Sequence, residues 1–154
     1  MTLSTHRQTF DKFLLAVAEE DYAALEAVLS DSPDFAWHFR PFSIYGHDGF
    51  SGFGKDGKAN KEQFLAFMRQ MPTMVKKLKL TDKPLHVVEQ GDQLAIHTYA
   101  EGEAADGAPY RNEYFFHVTF EEKTGRLLEV VEFMDSAYIL AFLSRFNASM
   151  PNFS

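Results

Sequence analysis

The spacing of apolar positions divides the chain into a helical first half and a stranded second half. Phe10, Phe13, Leu14 and Val17 fall at i, i+3, i+4 and i+7, the repeat of a helix that buries one stripe. Asp21 is placed to cap a second helix with Tyr22, Leu25, Val28 and Leu29 on its buried side, and residues 30–33 (SDSP) stop it. Residues 35–39 (FAWHF) read as a short strand. Arg40, held to extended backbone by Pro41, continues its direction. A long loop over 41–59 follows, with Gly46, Gly49, Gly52, Gly54 and Gly57; loops of this length are either functional lids or poorly ordered. Asn60, with Gln63 in the capping-box position, starts a third helix that buries Phe64, Phe67, Met68 and Met71 and ends at Pro72. The period then changes to two. Strands are expected over 75–81, 85–90 and 93–103, with a turn at Gly91-Asp92, and a last helix carries Ile139, Phe142, Leu143 and Phe146 on one side. Helices with one early strand, then antiparallel strands, then a helix make an α+β fold. No repeat or linker interrupts it, and a length of 154 residues suits a single domain over 1–154.

Residues 110–135 carry the most information. YRNEYFFHVTF and RLLEVVEFMD, joined by EEKTG, form a β-hairpin whose turn needs Gly125 in the left-handed conformation. Alternation puts Tyr110, Asn112, Tyr114, Phe116, Val118 and Phe120 on one face of the first strand. It puts Leu128, Val130, Glu132 and Met134 on one face of the second. Those faces look inward, because the opposite ones hold Arg111, Glu113, Thr119 and Glu129. Glu132 is therefore expected among apolar groups, where a carboxylate must be paired, protonated or working. A structural ion pair with Arg40 and a working acid or base are both open. The outward face leaves Phe115, Val131 and Phe133 as an apolar patch beside His117, Glu113 and Arg111. That patch predicts a homodimer.

Composition narrows the chemistry. Sixteen Phe among 15% aromatic residues suit a large apolar interior or cavity. A net charge of −7 without a basic tract argues against nucleic acid, anionic membranes and acidic polymers. The absence of Cys excludes disulfides, thiolate metal sites and Cys nucleophiles. The N-terminus has no apolar signal core and no run approaches the roughly 20 residues of a membrane span, so a cytoplasmic domain is expected. The six His make no helical i, i+4 or His-x-His pair, and no metal or cofactor is expected. GFGKDGK at 52–58 has the spacing of a phosphate loop, but Ala59 stands where Ser or Thr should hold magnesium and no strand precedes it.

The runs Y-x-N-E-Y from Tyr110, F-E-x-x-T-G-R from Phe120 and E-F-M-D-S-A-Y from Glu132 resemble the SnoaL-like polyketide cyclase group of the nuclear transport factor two-like superfamily, from the first helix to Phe146. The resemblance implies a cone, a curved mixed sheet wrapped around helices with a deep apolar pocket. Ketosteroid isomerase, limonene epoxide hydrolase and scytalone dehydratase are similar in this way. It implies an acidic position at Glu132 that acts as acid or base, a polar partner at Arg40, and pocket tyrosines at Tyr110 and Tyr114. Asp135 matches the family's Asp but reads here as the cap of the last helix. The Asp that precedes Pro in the steroid isomerase is absent, since Arg40 stands before Pro41.

These readings converge on a cofactor-independent isomerase, cyclase or dehydratase acting on a hydrophobic, polycyclic small molecule of secondary metabolism. Glu132 would move a proton, Arg40 would hold Glu132 or a developing negative charge, and Tyr110 and Tyr114 would donate to substrate oxygens. Asn112, Trp37, His38, Tyr99, Phe116, Val130 and Met134 are the further pocket candidates. The alternatives are a non-catalytic module of the same fold that binds a small molecule or peptide, and a nuclear-transport-type adaptor.

Overall fold

The helices form where an apolar stripe and a capping side chain coincide. The computed structural model describes residues 4–41, 57–81 and 83–146. Helix α1 (Thr5–Glu19) starts at Ser4, whose hydroxyl accepts from the Arg7 amide, and buries Phe10, Phe13, Leu14 and Val17. Asp21 caps α2 (Tyr22–Val28) by accepting from the Ala24 amide at 2.9 Å. Asn60 and Gln63 close the expected capping box on α3 (Lys61–Gln70). Met71 falls outside that helix: Pro72 pulls it into a 3-10 turn, Met71–Thr73.

The strands are β1 (Ala36–Arg40), β2 (Lys58–Ala59), β3 (Val75–Leu80), β4 (His86–Gln90), β5 (Gln93–Ala104), β6 (Pro109–Phe120) and β7 (Leu127–Met134). They form one mixed sheet in the order β2-β1-β7-β6-β5-β3, with β4 also paired to β5. The early strand lies parallel to β7, Phe39 opposite Glu132, while the other pairs are antiparallel. Lys58 and Ala59, expected in the loop, instead pair with β1. Residues 42–56 of that loop, read as either a lid or a poorly ordered segment, lie outside the described residues, as does the side chain of Phe146.

Parity holds along β6, where Tyr110, Asn112, Tyr114, Phe116, Val118 and Phe120 are all buried. It fails at one place on β7. Phe120 pairs with Leu127 and Thr119 with Glu129, so Leu128 is an extra residue and Leu127 takes the buried position expected for Leu128. Beyond this bulge Val130 and Glu132 return to the inner face.

The inner face of β5 is built from small residues. Thr98, Ala100 and Gly102 stand opposite Tyr114, Asn112 and Tyr110, leaving room for the larger side chains of β6. A β-carbon at Gly102 would lie 2.7 Å from Val75 Cγ1 and 3.1 Å from the Lys76 carbonyl, where β3 bulges against β5. Helix α4 (Ser136–Phe146) starts at Asp135, which accepts from the Tyr138 amide at 3.1 Å. It lays Tyr138 and Phe142 edge-on against Tyr110. This is the expected α+β cone, one large mixed sheet with helices filling its inner face. Among the described residues no helix is long and apolar enough to cross a membrane.

Candidate active site

The parallel register of β1 and β7 brings together two residues far apart in sequence. Trp37 pairs with Val130 and Phe39 with Glu132, so Trp37 and Glu132 point to the same side, one step apart. The Trp37 indole N–H donates to Glu132 Oε2 at 2.6 Å. Phe64 stacks on the indole at 4.0 Å and 14°, Phe13 tilts against it at 5.3 Å, and Phe116 meets it edge-on at 6.3 Å. Trp37 is 1% exposed, so its N–H has no water to fall back on. Burial pushes the Glu132 carboxyl up to about 7, against the pull of the Trp37 hydrogen bond. The side chain as a whole is only half-buried, because it lines a cavity rather than being packed on all sides.

Tyr110 and Tyr114, four residues apart on β6, share a hydrogen bond at 2.7 Å between their hydroxyls. One hydroxyl proton is spent between them, which leaves the other for a ligand. Asn112 supports the pair from behind. Its Oδ1 accepts from the Glu113 amide at 2.8 Å, and its Nδ2 donates to Tyr110 at 3.4 Å. Burial raises Tyr110 to about 12 and Tyr114 well above the ordinary phenol range, so both are neutral donors at physiological pH.

Glu132, Tyr110 and Tyr114 line a cavity whose other walls are apolar. The walls are the rings of Phe13, Trp37, Phe39, Phe64, Phe67, Phe116 and Phe142, the thioethers of Met68, Met71, Met74 and Met134, and aliphatic side chains from α1, β3 and α4. It offers about 70 Å³ to the centres of water-sized molecules and about 720 Å³ of empty space counted out through its mouth. The difference means a narrow space, and four flexible methionines are the side chains best able to widen it around a ligand. No lining residue among those described carries a positive charge. A neutral, largely apolar molecule fits these walls; an anionic one would meet the Glu132 carboxylate without a counter-ion. No group of described residues could hold a metal ion.

Of the residues expected from the sequence, the cavity gathers Glu132, Tyr110, Tyr114, Trp37, Phe116 and Met134. Val130 and Asn112 are inward but sealed behind it. Three others are corrected by strand parity. Arg40 and His38 alternate with Trp37 and Phe39 and so stand on the opposite face of β1. There the Arg40 guanidinium donates to the Phe39 carbonyl at 2.8 Å and lies 3.4 Å from His38 Nδ1. His38 in turn is 3.1 Å from Glu129, with burial and then Arg40 holding its pKa below the usual imidazole range. Glu132 therefore meets an indole where a guanidinium was expected. Tyr99 alternates with buried Thr98 and Ala100 and is 41% exposed on the outer face. The sequence reading also missed the helical walls. Phe13, Phe64, Phe67 and Met68 show as a buried stripe, and periodicity cannot separate a core position from a cavity wall.

Residues 10–130 match the family model described as the SnoaL-like domain. The fold is similar to that of BvnE pinacolase from Penicillium brevicompactum, at 22% identity over 93% of this chain and 94% of that one, with a TM-score of 0.74. It is also similar to an NTF2-like protein of unknown function from Burkholderia pseudomallei, at 21% identity over 92% of this chain and 99% of that one, TM-score 0.72. TerC, co-crystallised with polyporic acid, is similar at 15% identity over 92% of this chain and 99% of that one, TM-score 0.71. No match is found among curated proteins.

Proposed function

The chain belongs to the SnoaL-like domain family, and from that premise we propose that it is a cofactor-independent isomerase, cyclase or dehydratase that uses Glu132 to move a proton within a neutral, hydrophobic, ring-containing small molecule of natural-product metabolism. The observation that carries this reading is a carboxyl group at about 7 in an apolar cavity. Near neutral pH it is present in both forms, which is the condition for efficient general acid–base catalysis. Tyr110 and Tyr114 supply the one spare hydroxyl proton of their pair to a substrate oxygen, so charge that develops on that oxygen meets a fixed donor in a dry site. The aromatic and thioether walls position rings and exclude water. BvnE is described as a pinacolase and TerC was crystallised with polyporic acid, which supports a small organic substrate over a peptide. The protein acts as a homodimer through the outer face of the sheet, where Phe115 and Phe133 pair across strands at 43% and 44% exposure.

The test is Glu132→Gln, assayed on neutral polycyclic ketones and alcohols that the wild type converts. Turnover falls by about 10²–10⁴-fold while ligand affinity changes little. A fully active variant means that Glu132 is not the acid or base. Ligand binding without turnover in the wild type favours the binding module instead.

A further inference from the structure

Trp37 is the only tryptophan of the chain. It fills a slot between Phe13, Phe64 and Phe116 and spends its one polar atom on Glu132. An indole N–H donates and never accepts. The oxygen it holds must therefore accept whether the carboxyl is ionised or neutral, so the acid proton of the neutral form sits on the other oxygen. Glu132 Oε1 has no hydrogen bond to a described residue. It is not sealed off either: the one described side-chain polar atom both sealed and unpartnered is Thr98 Oγ1. Oε1 is the oxygen left facing the cavity. Resting on the reading of Glu132 as the acid or base, we propose that Trp37 is the positioning residue of the site: by holding Oε2 in both protonation states, it assigns proton transfer to Oε1.

Among the described residues, Glu132 has few ionisable neighbours on its own face. From β6 the titratable groups near Glu132 are Tyr110 and Tyr114, both held neutral by burial. From β1, His38 and Arg40 face the opposite way, and Glu129 on β7 does so too. The helices contribute apolar cavity walls. The donor that favours the charged carboxylate is Trp37, so it keeps an otherwise apolar site from fixing Glu132 in its neutral form. The ring sandwich fixes the direction of that bond, and hence the face Oε1 presents to a ligand.

Two measurements test it. With a single tryptophan, fluorescence excited at the red edge of the indole band, where the six tyrosines do not absorb, reports Trp37 alone. Its emission titrates near pH 7 in the wild type, and this transition is absent in Glu132→Gln, whose amide oxygen can still accept the bond but cannot ionise. Emission without that transition, or the same transition in both proteins, overturns the coupling. The second measurement uses nitrobenzisoxazole, a neutral bicyclic probe of carboxylate bases, with Trp37→Phe. The midpoint of its pH–rate profile moves up by about one pH unit when the donor is lost, a change that a packing role alone does not produce. If Trp37→Phe does not fold, biosynthetic replacement of the one tryptophan by its sulfur isostere, which lacks the N–H, makes the same comparison. An unmoved midpoint, with Glu132→Gln inactive on the same probe, overturns the role of Trp37 and leaves that of Glu132 standing. An active Glu132→Gln overturns the underlying reading.

Discussion

Glu132 keeps a proton in the folded chain at pH values where the unfolded chain has already released it. Its carboxyl lies at about 7 when folded against 4.5 as the ordinary value, so between these limits the folded state binds more protons. Stability then falls as pH rises through that window, the cost of the buried charge being absent below it and complete above it. Glu132→Gln removes the titration. Its stability relative to the wild type should shift in favour of Gln by on the order of 1–3 kcal/mol between about pH 4 and about pH 8, read from urea midpoints across that range. A constant difference would show that Glu132 titrates as an exposed carboxyl does. The residue was legible in the sequence because period-two alternation fixes the face of every side chain on a strand. Its partner was not. Arg40 was placed by its nearness to Pro41 and by family resemblance, whereas the register of β1 on β7, across 95 positions, decides that Trp37 shares the Glu132 face and Arg40 does not.

At the scale of elements, caps and turns were read directly because each is a local rule. Asp21, the Asn60–Gln63 box, Gly91, Gly125 and Asp135 all stand where expected. What escaped were irregularities created by pairing: the bulge that exchanges Leu127 for Leu128, and the short β2 strand that exists only because β1 lies beside it. Gly102 belongs to this group. Nothing adjacent in sequence asks for glycine there, but β3 crosses so close that a methyl group would press on Val75 and on the Lys76 carbonyl. Gly102→Ala should lower stability by about 1–3 kcal/mol through overpacking, measured by urea unfolding. A neutral result would mean that the β3 bulge yields at no cost. The same substitution tests the cavity wall, since Val75 lines it from β3.

Over the whole molecule, the two faces of the sheet have opposite characters. The inner face and the helices enclose the cavity. The outer face carries exposed Phe115, Phe133 and Tyr99 among the ion pair Arg111–Glu101 and the side-chain contacts His97–Glu113 and His38–Glu129. An apolar centre ringed by polar and charged groups suits a face that meets a second copy of itself. Phe133→Glu should shift the protein from dimer to monomer in sedimentation at micromolar concentration, and a wild type that is already monomeric there would remove the proposal. Fold and cavity were both legible from the sequence order and the family motifs, but the cavity's narrowness was not, because it depends on how far helices stand from the sheet. The central claim is that this cavity holds a carboxylate able to take a proton. Nitrobenzisoxazole measures that without knowledge of the natural substrate: a base removes its ring C–H proton, the N–O bond breaks, and a coloured cyanonitrophenolate is released. With the wild type the rate should rise with pH to a plateau, half-maximal near pH 7, where Glu132 becomes ionised, and fall by about 10²-fold or more in Glu132→Gln. A Glu132→Gln protein as fast as the wild type, with the same pH profile, would contradict the claim.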